Sequence, residues 1–247
     1  MLYADVIVKQ RTNVEELTYA VPAAIVPYIR SGSLVTVPLR RRIVGATVVG
    51  LKRAVRSELK GKIREIATIE RDRHLTEEEI TVMREIAAHY GASMAEVAFH
   101  ALRLLPIERP QTSRQQGERP VFVQAPLHNR LRAYSEIFKK LTAGQAMLIV
   151  CSQQAFARAV HHYFKKAGAS ALLHDDTVRS RRRFSEVVAL GPVVVITTPA
   201  GLFFPLRAAD VIVVDDASHF AHKQRTRPFL TSATVARIRA RYEHLSL

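Results

Sequence analysis

Asp215 and Asp216 close the apolar run Val211-Ile-Val-Val214. Carboxylates at a strand end are the groups that hold Mg²⁺ and activate water in nucleotide hydrolysis. His219 and His222 follow as an H-x-x-H string, and mixed Asp/His ligands suit a metal. A solvated loop accounts for the same residues, and no metal is expected. Cys151 ends a second apolar run, Ala146–Cys151. With no partner that would complete a nucleophilic triad, it reads as core filler.

Hydrolysis would also need a phosphate cradle, two glycines around four residues followed by Lys-Ser/Thr. The nearest string, Gly45-Ala-Thr-Val-Val-Gly50, continues Leu51-Lys52 and lies in a β-branched run, so it is a coincidence. After the apolar run Val121–Gln124 the chain reads Ala125-Pro-Leu-His-Asn-Arg-Leu-Arg-Ala133, which has neither glycine nor a Gly-Lys pair. Arg130 or Arg132 would supply charge there without a backbone cradle. No nucleotide or other cofactor is expected.

Cations that can meet phosphates are abundant. From Arg30 to Arg64 there are ten basic residues (Arg30, Arg40, Arg41, Arg42, Lys52, Arg53, Arg56, Lys60, Lys62, Arg64) and one acid, Glu58. Interleaved with β-branched residues, they put many charges on one side of a small sheet or barrel, a phosphate-binding face. Arg179-Ser-Arg-Arg-Arg183 sets four more, Arg179, Arg181, Arg182 and Arg183, early in a helical stretch. Cations there oppose the helix dipole, and a polyanion would relieve that conflict.

These clusters sit in a chain of 247 residues with 37 Lys+Arg, 22 Asp+Glu and a formal charge of +15. Residues 1–110 carry 17 basic and 13 acidic side chains, residues 111–247 carry 20 and 9, so the second part holds most of the excess. The hydrophobic share, 48%, supports a packed core and argues against disorder. No apolar run approaches the roughly 20 residues of a membrane span, and the opening residues do not read as a secretory signal. A single cysteine excludes a disulfide framework and a cysteine-based zinc cluster. A cytoplasmic protein drawn to polyanions is the expectation.

The elements that must position these residues fall into two sets. Residues 1–106 read as short strands at Ala4–Val8, Leu17–Val21, Leu34–Val37, Ile43–Leu51 and Ile63–Ile69, then two helices. Thr76-Glu-Glu-Glu79 and Ser93-Met-Ala-Glu96 match capping boxes that start those helices. Residues 107–119 are polar and contain Pro110 and Gly117, a linker. Residues 120–247 alternate buried-looking strands (Val121–Gln124, Ala146–Cys151, Ala171–His174, Val193–Thr197, Asp210–Val214) with helical stretches (Leu131–Lys140, Gln153–Lys166, Val178–Ala189). The expected fold is α+β, a small β-barrel with two helices, followed by an α/β parallel-sheet domain.

The first set resembles the 3′-DNA-binding domain of the bacterial replication-restart family PriA (primosomal protein N′). The resemblance is carried by Ala4-Asp-Val-Ile-Val8, Leu17-Thr-Tyr-Ala-Val-Pro22, Gly32-Ser-Leu-Val-Thr-Val-Pro38, Ile43-Val-Gly45, His89-Tyr90 and Ala98-Phe-His-Ala-Leu102. The second set is similar to the first, RecA-like helicase lobe of the same family. Ala171-Leu-Leu-His174, Thr197-Thr-Pro-Ala-Gly-Leu-Phe-Phe-Pro205 and Val211-Ile-Val-Val-Asp-Asp-Ala-Ser218 with Lys223-Gln224 carry that likeness. It departs from the family pattern at the absent Gly-Lys-Thr loop, at Pro199 in place of Arg, at Asp216 in place of Glu and at Ser218 in place of His. Asp215 and Asp216 are then a degenerate Walker-B pair. No counterpart of the winged-helix domain, zinc region or second helicase lobe is seen.

The resemblance implies a pocket for a DNA 3′ end. In the family an aromatic-Asp-Tyr string, a glycine after Val-Pro-Phe and a lysine near the last strand contribute. Their places fall here on Leu17, Thr18 and Tyr19, on Arg40, and on Lys62 or Arg64, so a threonine replaces the acid that receives the sugar hydroxyl. With Arg41, Arg42 and Lys60 these form the expected DNA-binding set. The function implied is binding of forked or gapped DNA in replication restart, without ATPase or helicase activity and so not as an enzyme. Other restart proteins or single-strand-binding protein are the implied protein partners. An ATP-dependent helicase with a non-standard nucleotide site and an RNA-binding protein stand as alternatives.

Overall fold

The structure is a computed structural model that describes residues 1–8, 16–55, 63–101, 125–174, 187, 190–206 and 210–247. The chain divides into two compact units, Met1–Pro106 and Ile107–Leu247. The expected linker 107–119, strand Val121–Gln124 and nearly all of the expected helix Val178–Ala189 lie outside the described residues.

The first unit is a five-stranded antiparallel sheet followed by two helices. The strands are β1 (Leu2–Val8), β2 (Leu17–Val21), β3 (Ser33–Leu39), β4 (Arg42–Lys52) and β5 (Thr68–His74), in the order β2-β1-β4-β3-β5. Period-two alternation sends Ala4, Val6 and Val8 of β1 into one core with Tyr19, Val21, Val35, Val37, Val44, Ala46 and Val48. A bulge between Asp5 and Val6 adjusts the register of β1 against β4. Helices α1 (Glu77–Tyr90) and α2 (Met94–Ala101) pack on each other, and α2 packs on β1. Both expected capping boxes form. Thr76 Oγ1 accepts from the Glu79 amide, Ser93 Oγ accepts from the Glu96 amide, and each glutamate returns to the cap residue's amide. Gly32 links the sheet to α1. Its φ is +83°, its carbonyl accepts from the Leu75 amide, and a Cβ there would run into the Leu75 carbonyl.

One expectation is corrected. The last strand does not span Ile63–Ile69 but runs from Thr68 to His74. The chain between Arg64 and Ala67 passes from β2 to β3: the Ala20 amide donates to the Arg64 carbonyl, the Ile66 amide to the Ala20 carbonyl, and the Ala67 amide to the Thr36 carbonyl. Among the described residues this crossing chain meets β2 at one bridge, Ala20 to Glu65.

The second unit is a parallel α/β layer structure. Its strands are β6 (Ala146–Val150), β7 (Ala171–Leu173), β8 (Val193–Thr197) and β9 (Val211–Val214), in the order β7-β8-β6-β9. Every residue of β6 and β8 is buried, as continuous apolar runs require when both faces are covered. Helices α3 (Leu127–Lys139) and α4 (Gln154–Lys166) share one core with the sheet through Tyr134, Phe138, Ala157, Val160 and Phe164 against Met147, Ile149 and Cys151. A last helix, α5 (Ser232–Tyr242), packs on β9. Its segment, Ser-Ala-Thr-Val-Ala-Arg-Ile-Arg-Ala-Arg-Tyr, was not expected as a helix, since its arginines mask the apolar stripe. One of them, Arg239, is in fact buried, bonded to Glu243 at 2.6 Å and to the Leu202 carbonyl.

Candidate nucleic-acid interface

The β3–β4 hairpin turns in two residues, Arg40 and Arg41, between the paired Leu39 and Arg42. Arg40 has φ +54°, and it is the only residue of this turn with a positive φ. That signature belongs to hairpin turns whose first central position favours glycine, because a Cβ crowds the backbone there. An arginine is thus held where glycine would be easiest.

Two side chains lock the base of this hairpin. The Tyr19 hydroxyl donates to the Pro38 carbonyl at 3.0 Å, and Arg64 Nη1 donates to the Arg40 carbonyl at 2.8 Å. Burial raises the Tyr19 phenol above its ordinary pKa, with Arg64 opposing, so it stays a neutral donor. Arg40, Arg41, Arg42 and Arg64 are all exposed, a patch of four guanidiniums at one end of the sheet. Multidentate, permanently charged donors of this kind suit phosphate oxygens.

Leu17, Thr18 and Tyr19 do not share a face of the sheet. Leu17 and Tyr19 point into the core, and Thr18 points to the opposite face. There Thr18 Oγ1 donates to Asp5 Oδ1 at 2.6 Å, and Lys52 Nζ reaches Asp5 Oδ1 at 2.7 Å and Thr18 Oγ1 at 3.2 Å. This three-strand cluster was missed at the level of sequence for Asp5. The available signal was a lone acid inside the apolar strand Leu2–Val8, directly opposite Thr18 in the antiparallel register. Lys60 and Lys62 lie outside the described residues, as do Arg179, Arg181, Arg182 and Arg183.

In the second unit, Asp215 ends β9 and is buried. Arg130 Nε donates to its Oδ1 at 2.8 Å, the Tyr134 hydroxyl donates to the same oxygen at 2.8 Å, and Arg130 Nη1 donates to the Ala125 carbonyl at 2.9 Å. Burial, and then the Asp215 carboxylate, push the Tyr134 phenol well above its usual range. Beside them the Cys151 thiol is pushed up to about 12 by burial and by Asp215, which leaves it a neutral thiol at physiological pH.

Asp216 is exposed, with φ +52° and a hydrogen bond from Ser218 Oγ. The two aspartates therefore diverge. So do the two histidines of the H-x-x-H string. His222 is not in a solvated loop position but buried, donating from Nε2 to the Asp215 carbonyl at 2.8 Å, while His219 Nδ1 accepts from the Ala221 amide and its ring stacks on Phe220. Among the described residues no cluster of three or more His, Cys, Asp or Glu could hold a metal ion. Gly45 and Gly50 both lie inside β4 and form no loop. No helix among the described residues is long and apolar enough to cross a membrane.

Residues 5–103 match the family model of the PriA 3′DNA-binding domain (3′BD). The match ends within the first unit and supports DNA binding in replication restart for that unit. No curated protein matches the chain.

Proposed function

We propose that this chain, with a PriA-type 3′DNA-binding domain as its first unit, binds forked or gapped DNA during replication restart, and that its second unit is a RecA-like lobe that does not hydrolyse ATP. The observation that carries the first half is the exposed Arg40, Arg41, Arg42 and Arg64 patch on the matched domain. Its donors address phosphates, which give affinity without sequence preference.

Support for the second half comes from Asp215. A strand-end carboxylate serves nucleotide hydrolysis by facing a metal and the phosphates; this one is occupied by Arg130 and Tyr134 from α3. The Ala125–Ala133 stretch that would hold phosphates has no glycine, so its backbone N–H groups have no cradle to offer.

The test is equilibrium binding of the full chain to forks with free and with blocked 3′ ends across a salt titration. The logarithm of the binding constant should fall linearly with the logarithm of salt, and Arg41→Gln/Arg42→Gln should reduce the slope by about 2, given a slope of roughly 0.9 per duplex phosphate contact. Free and blocked ends should bind alike, because the Thr18 hydroxyl is engaged by Asp5. Salt-independent binding refutes the first half, and DNA-stimulated ATP hydrolysis refutes the second.

A further inference from the structure

Helices α3 and α4 carry basic residues at three of four matching exposed positions. On α3 and its C-cap these positions are Arg132, Glu136, Lys139 and Lys140; on α4 they are Arg158, His162, Lys165 and Lys166. The spacing is i, i+4, i+7, i+8 in both, which gathers each set on a single helix face. The two faces are also in register. Ser135 Oγ reaches the Tyr163 hydroxyl at 3.3 Å and the Phe138 ring meets Phe164 edge-on, so equivalent levels of the helices lie side by side. Both helices bury their other faces in the core shared with the sheet, which turns the two rows outward. Packed helices stand about 8–10 Å apart, so the rows form a plate of cations rather than a single line. Between residues 125 and 174 the only acid is Glu136, and it bonds Lys139.

Compensation of the helix dipoles accounts for Lys139, Lys165 and Lys166, which lie in the last turns. It does not account for Arg132 and Arg158, which stand well ahead of the helix ends, since the dipole's influence fades within one turn. We infer that the α3–α4 face is a second nucleic-acid surface, which holds the phosphate backbone of a DNA duplex. The choice of DNA rests on the reading of the first unit; the choice of a duplex rests on this face. Only one large hydrophobic side chain, Phe156, is exposed on these two helices, at the far end of α4 from the lysines. A surface of cations without aromatic platforms contacts backbones and does not stack unpaired bases.

The test compares the full chain with its Lys140→Gln/Arg158→Gln/Lys166→Gln variant. Glutamine is a good helix former and these positions are exposed, so the fold is kept, which circular dichroism and thermal melting check. Binding is measured by fluorescence anisotropy on a blunt DNA duplex, a short single strand and a double-stranded RNA. The variant should bind the duplex roughly tenfold more weakly, with a salt slope lower by about 2 to 3, and should bind the single strand as the parent does. Unchanged duplex binding overturns the inference, as does a loss confined to the RNA. Running Arg41→Gln/Arg42→Gln alongside separates the two readings: if that variant binds every probe as the parent does, the first-unit interface fails whatever the α3–α4 variant shows.

Discussion

The buried contact between Arg130 and Asp215 can be tested by its energetics. The Asp215 side chain is 2% exposed and that of Arg130 19%, joined at 2.8 Å, so neither charge is solvated as it would be at the surface. Arg130→Met keeps most of the side-chain stem and removes the charge, leaving a buried carboxylate with the Tyr134 hydroxyl as its remaining side-chain donor. Removing one partner of a buried ion pair costs about 3–5 kcal/mol. The retained Tyr134 bond places this case at the lower end, about 3 kcal/mol, or roughly 6–12 °C in Tm for a chain of this size. Asp215→Asn should cost about 1.5 kcal/mol, because Arg130 keeps its Ala125 carbonyl and a neutral oxygen as acceptors. The double variant leaves no unpaired buried charge and should cost about 2 kcal/mol, well short of the sum of the single effects. Thermal and denaturant unfolding of the four proteins measure this cycle. An Arg130→Met variant that melts with the parent, or a double variant whose cost equals the sum, would refute the claim that these groups neutralise each other in a dry site.

Three more outcomes follow from the geometry. Arg40→Gly removes a side chain from a φ of +54°, so it should stabilise the first unit by about 1 kcal/mol in denaturant melts while weakening DNA binding. Burial lowers the pKa of His222, in spite of its bond to the Asp215 carbonyl. A lowered folded value means that the unfolded state takes up the proton first, so stability present above about pH 6.5 should be lost as the pH falls below that value. His222→Gln, which keeps a donor for the Asp215 carbonyl, should flatten this dependence in Tm measured across pH. Cys151, fully buried with its thiol pushed up to about 12, should resist thiol reagents at pH 8 in the native protein and react at once in denaturant.

Much of the fold was legible because it rests on local pattern. The runs Leu17–Val21 and Val193–Thr197 became strands within those bounds, and both capping boxes started helices, since the groups that decide such elements lie within a few residues of each other. The misreadings arose where a distant partner decides. The end of β5, Glu70-Arg-Asp-Arg73, has no apolar residue to mark it, and the strand exists because β3 offers it a ladder. Helix α5 hides behind arginines, one of which is paired inside the protein. His222 reads as part of a polar loop until the Asp215 carbonyl claims it.

The candidate site divides in the same way. Net charge, the concentration of cations in Arg30–Arg64 and the absence of a glycine cradle are properties of composition and short spacing, and the sequence by itself determined them. The register of β3 against β4 places Arg40 and Arg41 at the hairpin tip between those strands. Only the tertiary structure decided which charges remain available. It brought Arg64 to the Arg40 carbonyl across 24 residues, turned Thr18 away from Tyr19 onto Asp5 and Lys52, and closed Arg130 on Asp215 across 85. It also laid the cation rows of α3 and α4 side by side on one face. Charge is written residue by residue, but whether a charge meets solvent or a buried counter-ion depends on which distant segments the sheets and helices bring within about 3 Å of it.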